Sequence, residues 1–479
     1  MTEHEIISLP CGRIRGQKTR SGYSFLAVPY GRAQRFRPPV PARWEGVLDC
    51  VEYGSCAPQP RQRGQTPADF SSFHTIGSED CMNLNIWTKH IQPQARRPVV
   101  VYVHGGAFQY GRNSVPDQAG DRFMEEDDMV FVSVNYRVGI LGFLELGAMD
   151  PAYRGSGNCG IWDLLTAIRW VRENIAQFGG DPEQITLMGI SAGAKSIGAL
   201  LTLPEIQESC HSVILESGCM QAFRTVETAR RVARRYLAYL PSGSDPRTAP
   251  LDVLLAAQAK FCACDGNTCF FGPVLTAPFR PDWRERWESG ERFHGRAILG
   301  GCRHELIGLV QKPGFSQRAE QVAMELFGSN GSLAIEKHRE LVEASVESQE
   351  AWEQVFSDFM YRFYTTQLAE KLEAEGNSVW SYSFDYGIAG HGMGFGYLML
   401  QLTPPGAAPS PESEAKARPI AEFMRARFRS FILSGDPGTE IWPRYQGGYK
   451  MVFDQNPHME YRPDDTLTGF PDQVYALIN

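Results

Sequence analysis

A chain of 479 residues is long enough to bury a large core, as one large α/β domain or as two to three smaller ones. With 43% hydrophobic and 21% charged residues it has the make-up of an ordinary folded protein, which excludes the disordered and fibrous classes. A formal net charge of −8 argues against nucleic acid as a partner, and no apolar stretch reaches the length that spans a bilayer.

The first residues, MTEHEIISLPCGRIRG, lack the apolar centre of a secretory signal, so a cytoplasmic location is expected unless a signal was removed. Gln62 to His74 is polar and reads as a loop. Val99-Val-Val-Tyr-Val103 then reads as a buried strand running into His104-Gly105-Gly106, and Met129–Val134 as a second one running into Asn135-Tyr136-Arg137. From about Ile161 to Phe178, apolar residues recur at three and four, the stripe of a helix facing a core; Gly179-Gly180-Asp181-Pro182 stops it. Ile185–Met188 is a short strand ending in Gly189, followed by a small-residue helix over Ala192–Leu201. His211–Leu215, Arg296–Leu299 and Val379–Phe384 are further strands, and Ser348 to Ala374 is helical. Thr403 to Pro419 reads as an exposed loop before a last helix. Short buried strands alternating with helices predict an α/β chain, a large mostly parallel sheet covered by helices, forming a single domain over residues 1–479.

Eleven cysteines leave at least one without an intramolecular partner, and cytosolic thiols are expected to stay reduced. The cluster Cys262-x-Cys264-x4-Cys269 lacks a second half with ligand spacing, so no metal site is predicted.

Chemistry enters at Gly189-Ile190-Ser191-Ala192-Gly193. The G-x-S-x-G pattern puts a serine in a strained turn between strand and helix, where flanking glycines let backbone approach without a Cβ clash. Alone the pattern also fits a tight turn with a structural serine. A strand before it and a small-residue helix after it favour a nucleophile. Upstream, His104-Gly105-Gly106-Ala107-Phe108 follows a strand, and its amides suit a hole for developing negative charge, with Ala192 supplying another N–H. A glycine loop used only for turning is the plainer reading.

Where an elbow serine acts as nucleophile, acid and histidine follow it in that order, each after a strand. Of ten histidines, His391 is best placed, in Gly390-His391-Gly392 beyond the strand ending at Phe384. His294 and His304 come too early or sit beside the acid, His338 lies in a charged helical run, and His458 in a polar tail. Glu305 follows the strand Arg296–Leu299 and would orient His391. A solvated loop histidine and an exposed strand-end carboxylate are the alternatives.

With these residues in place, the chain resembles the type-B carboxylesterase and lipase family along nearly its whole length. The resemblance is carried by Ser78-Glu79-Asp80-Cys81-Met82-Asn83-Leu84-Asn85, Asn135-Tyr136-Arg137-Val138-Gly139-Ile140-Leu141-Gly142-Phe143 and Gly157-Asn158-x-Gly160-x-x-Asp163. It continues through Asn174 to Pro182, Ser217-Gly218 and Trp442-Pro443-Arg444-Tyr445. It implies the α/β-hydrolase fold, a triad of Ser191, Glu305 and His391, and oxyanion donors Gly105, Gly106 and Ala192. It also implies that Cys56 and Cys81 match a disulfide, or two thiols in a reducing cytosol, and that Gly105-Gly106-Ala107-Phe108 tolerates esters of bulky tertiary alcohols.

Two departures stand out. Ile190 stands where the family usually has Glu, and Gly394 where it often has a carboxylate three residues after the histidine. Losing both predicts a more apolar wall behind the triad, since a buried carboxylate is costly without a partner, with Glu216 as the acid that could take over the network instead.

The expected function is therefore hydrolysis of carboxylic esters through an acyl-enzyme, with a small-molecule ester as partner and no cofactor. The alternatives are an amidase or thioesterase with the same triad, or an inactive binding protein on the same fold. Oligomeric state is not legible.

Overall fold

Strands buried along their whole length explain why the apolar runs could be read. The computed structural model describes residues 4–59, 77–114, 120–124, 127–221, 223–264, 271–403, 408 and 410–462; the loop expected over Gln62–His74 lies outside these residues. Two units interleave along the chain: Met1–Leu187, Leu200–Cys210 and Phe223–Arg292 form one, and Met188–Ala199, His211–Ala222 and Phe293–Asn479 the other. One domain over residues 1–479 remains our proposal for the folding unit.

In the first unit the longer strands are β1 (His4–Leu9), β2 (Gly12–Thr19), β3 (Gly22–Pro29), β4 (Asn83–Thr88), β5 (Arg97–Val103) and β6 (Val130–Val134), with most of β7 (Gly180–Ile190). Their order is β1-β2-β3-β4-β6-β5-β7. β5 and β6 run parallel, whereas the pairs from β1 to β4 and the β4–β6 pair are antiparallel. The antiparallel strands β1 to β3 escaped the sequence reading for a physical reason. β2, GRIRGQKT, buries only alternate residues, so it presents no apolar run.

Helix α1 (Cys159–Asn174) buries the predicted stripe of Ile161, Leu164, Leu165, Ile168 and Val171. Ile175–Phe178 tightens into a 3₁₀ turn, and Gly179, at φ +85°, ends it. The motif residues of this unit work as structural ties. Asp163 receives the Arg137 backbone N–H at 3.0 Å, Nε at 2.7 Å and Nη2 at 2.6 Å. Asn158 Nδ2 donates to the Val274 carbonyl at 2.7 Å, and its Oδ1 accepts the Val274 N–H at 2.8 Å.

In the second unit α2 (Ala192–Leu200) leads to β8 (Ser212–Glu216), β9 (Arg296–Cys302), β10 (Ser378–Phe384), β11 (Tyr449–Phe453) and β12 (His458–Tyr461), adjacent in that order. β8 to β11 are parallel and β12 is antiparallel. Register aligns Cys302 with Phe384 and Phe384 with Phe453, so β9 to β11 finish level, while β8 ends two residues short, with Glu216 opposite Gly300. The loops that leave this edge carry the candidate residues, as is usual for open α/β sheets.

The stretch Ser348–Ala374 is helical as expected, but in three pieces: α3 (Ser348–Ser357), a π turn over Asp358–Arg362, and α4 (Phe363–Ala374). A short helix α5 (Met393–Leu398) follows His391. The loop expected over Thr403–Pro419 is corrected. Helix α6 already begins at Pro411, capped by Ser410, and runs to Ser434. Proline at the first helical position forgoes an N–H that would be unpaired anyway, so Ser410-Pro411 marks a helix start that composition alone reads as loop.

Among the described residues no helix is long and apolar enough to cross a membrane.

Candidate active site

β7 ends at Ile190, and the chain turns sharply into α2 with Ser191 at φ +54°, a left-handed conformation that serine adopts only under constraint. A Cβ on Gly189 would lie 2.7 Å from Ala194 N, so glycine is required for the turn to close. The Ser191 N–H donates to the Glu216 carbonyl at 2.8 Å, and its own carbonyl accepts the Lys195 N–H at 2.9 Å. The side chain is thereby fixed at the carboxyl edge of the strands.

Glu305 and His391 meet through their neighbours. The His304 N–H donates to the Ala389 carbonyl at 2.9 Å, and His304 and Gly390 form an isolated parallel bridge. One residue further on in each segment, His391 Nδ1 lies 2.6 Å from Glu305 Oε2. On the other side of the ring, His391 Nε2 lies 2.8 Å from Ser191 Oγ. Glu305 is fully buried at its side chain while His391 is 31% exposed, so the chain of contacts runs from the interior to an accessible serine. Three of the predicted residues thus stand in one hydrogen-bonded line.

Sequence reasoning missed what holds that line. Ser217 Oγ donates to Glu305 Oε1 at 2.7 Å, and the Cys302 N–H donates to the same oxygen at 2.8 Å. With His391 on Oε2, both carboxylate oxygens are occupied, which fixes the imidazole's orientation. Tyr361, within the π turn, packs its ring on His391 at 4.8 Å between centroids, and its ring also lies 4.6 Å from Lys195 Nζ. The π turn rotates this side chain out of the α-helical stripe, so periodicity does not point to it. Behind His304, Glu353 accepts from the ring Nδ1 at 2.9 Å and from Ser357. Burial would raise that carboxyl, but the His304 and Ser357 hydrogen bonds bring it below its ordinary value.

The wall behind the triad corrects the sequence reading. An apolar wall was expected from Ile190 and Gly394, yet Glu216 puts a buried carboxyl there: its Oε1 accepts the Phe395 N–H at 2.6 Å. Burial pushes this carboxyl up to about 8, with the Phe395 N–H opposing and Glu305 reinforcing the shift. Ile190 is only half-buried, and a Cβ on Gly392 would come within 3.3 Å of its Cδ1.

In the first unit, Gly105 and Gly106 lie on a tight turn where Gly106, Ala107 and Phe108 all take positive φ and the Gly106 carbonyl accepts the N–H groups of Gln109 and Tyr110 at 2.9 Å each. His104 is buried beneath it, stacked on Tyr136 at 4.5 Å, its Nδ1 bonded to the Gly105 carbonyl at 2.9 Å. Burial pushes its pKa down to about 4, partly offset by that bond, so the ring is neutral at ordinary pH. Ala192, in the second unit, opens α2 immediately after Ser191.

The Cys56–Cys81 disulfide that the resemblance allowed is not formed: both are free, buried thiols, and burial raises both above the ordinary thiol value. The side chain of Cys264 and all of Cys269 lie outside the described residues. Among the described residues, no group of three or more His, Cys, Asp or Glu is placed to hold a metal ion.

The family model described as the carboxylesterase family matches residues 3–275. The chain belongs to the carboxylesterase family. The para-nitrobenzyl esterase of Bacillus subtilis is 29% identical to this carboxylesterase over 470 residues, covering 92% of this chain and 93% of its own. A probable N-octanoylanthranilate hydrolase of Rhodococcus erythropolis is 36% identical over 395 residues, covering 79% and 80%. The crystal structure of a Geobacillus stearothermophilus carboxylesterase matches with a TM-score of 0.83 at 30% identity, over 97% of this chain and 99% of that one. The fold is accordingly the α/β-hydrolase fold, and the protein is a carboxylic-ester hydrolase. The matched residues include Ser191 but stop short of Glu305 and His391, for which the geometry above is the local observation.

Proposed function

We propose that this carboxylesterase hydrolyses esters through a covalent acyl-enzyme on Ser191, with His391 as general base and Glu305 as its supporting acid. The observation that carries this reading is the line from Ser191 Oγ through both ring nitrogens of His391 to the buried Glu305. With Nδ1–H donated to Glu305, Nε2 is the free acceptor for the serine proton. As Oγ attacks the ester carbonyl carbon, that proton passes to Nε2, and Glu305 stabilises the imidazolium so formed. The N–H of Ala192 meets the developing oxyanion, and Gly105 and Gly106 are proposed as the further donors. Collapse of the tetrahedral intermediate breaks the C–O bond to the alcohol, which leaves with the proton from His391. Water, deprotonated by His391, then attacks the acyl carbon and frees acid and Ser191.

Ser191→Ala tests this directly: kcat on nitrophenyl butyrate should fall by about 10⁴-fold or more, with folding unchanged. Retention of a tenth of wild-type turnover would sink the assignment. We extend the reading to esters of tertiary alcohols, because the consecutive left-handed residues Ala107 and Phe108 follow the two glycines. Turnover of tert-butyl acetate above background is the expected result.

Amide hydrolysis by the same residues is a second reading, supported by the likeness to the probable N-octanoylanthranilate hydrolase. Matched N-octanoyl anilide and phenyl octanoate substrates would rank the two.

A further inference from the structure

One buried carboxyl in the second unit takes no part in the proposed acyl transfer. Glu216 is the last residue of β8 and is 1% exposed. Its backbone carbonyl holds the Ser191 N–H at 2.8 Å, and its Oε1 holds the N–H of Phe395, four residues beyond His391, at 2.6 Å. The adjoining Ser217 holds Glu305 at 2.7 Å. Two consecutive residues therefore touch each of the three segments that carry Ser191, His391 and Glu305.

The space around the carboxyl is matched to it. A Cβ placed on Gly394 would lie 2.8 Å from Glu216 Oε1, closer than such atoms approach in practice, so the carboxyl occupies the volume that any side chain at 394 would need. The titratable groups interacting with Glu216 are Glu305, Tyr382 and Cys302, none of them a cation. A structural filler at this position would be better served by an apolar side chain, because a buried carboxyl is costly to keep even with the Phe395 N–H and the Tyr382 hydroxyl beside it.

We propose that Glu216 is a positioning residue for ester hydrolysis, holding the Ser191 turn and the His391 segment in register through its carbonyl and its carboxyl, with glycine at 394 as the matching space. The proposal rests on the triad reading above. Because it acts on the mutual placement of Ser191 and His391, losing it should lower kcat and leave KM nearly unchanged.

The experiment is a double-mutant cycle on nitrophenyl butyrate, with thermal melts on each variant. Glu216→Ala should lower kcat about 10- to 100-fold, the scale of a displacement near 1 Å, with KM within about twofold. Glu216→Gln, whose amide oxygen still accepts from Phe395, should recover most of that loss. Gly394→Ala should cost about tenfold in kcat alone and nothing further in the Glu216→Ala background, since the atom it strikes is gone. Where Glu216→Ala does not fold, Gly394→Ala alone reads the same juxtaposition. Wild-type kcat in Glu216→Ala, no recovery in Glu216→Gln, additive losses in the cycle, or wild-type kcat in Gly394→Ala would each overturn the proposal. Turnover retained by Ser191→Ala would instead overturn the triad reading itself, so the two failures are distinguishable.

Discussion

Asp163 in the first unit and Glu305 in the second have side chains equally hidden from water, yet they face different partners. Asp163 receives three donors from Arg137, whose guanidinium is charged at any accessible pH. Burial alone would lower the Arg137 pKa, but Asp163 more than offsets this and holds it above its ordinary value. Glu305 receives a hydroxyl, a backbone N–H and an imidazole. In the proposed mechanism its countercharge arrives when His391 takes the serine proton. A buried carboxylate facing a permanent cation is a structural tie; one facing neutral donors and a histidine suits the charge that, in the proposed mechanism, forms during the reaction.

Glu305→Gln should break the second arrangement most severely. The amide presents a donor as well as an acceptor to Nδ1 and favours the wrong tautomer, so kcat should fall on the order of 10⁴-fold while the melting temperature moves by a few degrees at most. Steady-state kinetics and a thermal melt on one preparation check both halves. In the first unit the pattern should invert. Asp163→Ala leaves Arg137 buried without its partner and should cost about 3–5 kcal/mol in urea unfolding. Active-site titration should then show kcat per folded molecule within about threefold of wild type. A large kcat loss at unchanged stability would erase the distinction.

Ser217→Ala sharpens the contrast at smaller scale. Removing a donor to a buried carboxylate should cost about 1.5–3 kcal/mol, divided between stability and kcat. A separate effect belongs to pH. Burial holds the Glu216 carboxyl near 8, with the Phe395 N–H lowering and Glu305 raising it, whereas in the unfolded chain it titrates near about 4.3. Between those values the unfolded state sheds its proton while the native state keeps it, so this group's contribution is complete below the lower value and is lost as pH rises to the upper. Glu216→Gln does not titrate. Its stability relative to wild type should therefore improve from pH 5 to pH 8 in paired melts, and a constant difference would contradict the assignment.

Much of this was legible in the chain itself. Ser191 is marked by spacing, because a strained turn admits little but glycine around it. Glu305 and His391 are marked by place, because each follows a strand that is apolar throughout. Ser217 was visible as a motif but not in its role, since its hydroxyl meets a carboxylate 88 residues away. Tyr361 was hidden by the π turn, which shifts the helical period. The back wall was expected to be more apolar from the missing carboxylates at Ile190 and Gly394, with Glu216 as the acid that could take over; that Glu216 lies against Gly394 depends on a contact the chain order does not show. Motif and period read neighbours along the chain, whereas these contacts depend on register between strands.

Covalent labelling tests the central claim most directly. After inactivation by diethyl para-nitrophenyl phosphate, intact-mass and peptide mass spectrometry should find one phosphoryl adduct per chain, on Ser191. The adduct should be absent from Ser191→Ala and should form far more slowly in His391→Ala. An adduct on another residue that tracks the loss of activity, or labelling of Ser191 at an unchanged rate in His391→Ala, would contradict the account.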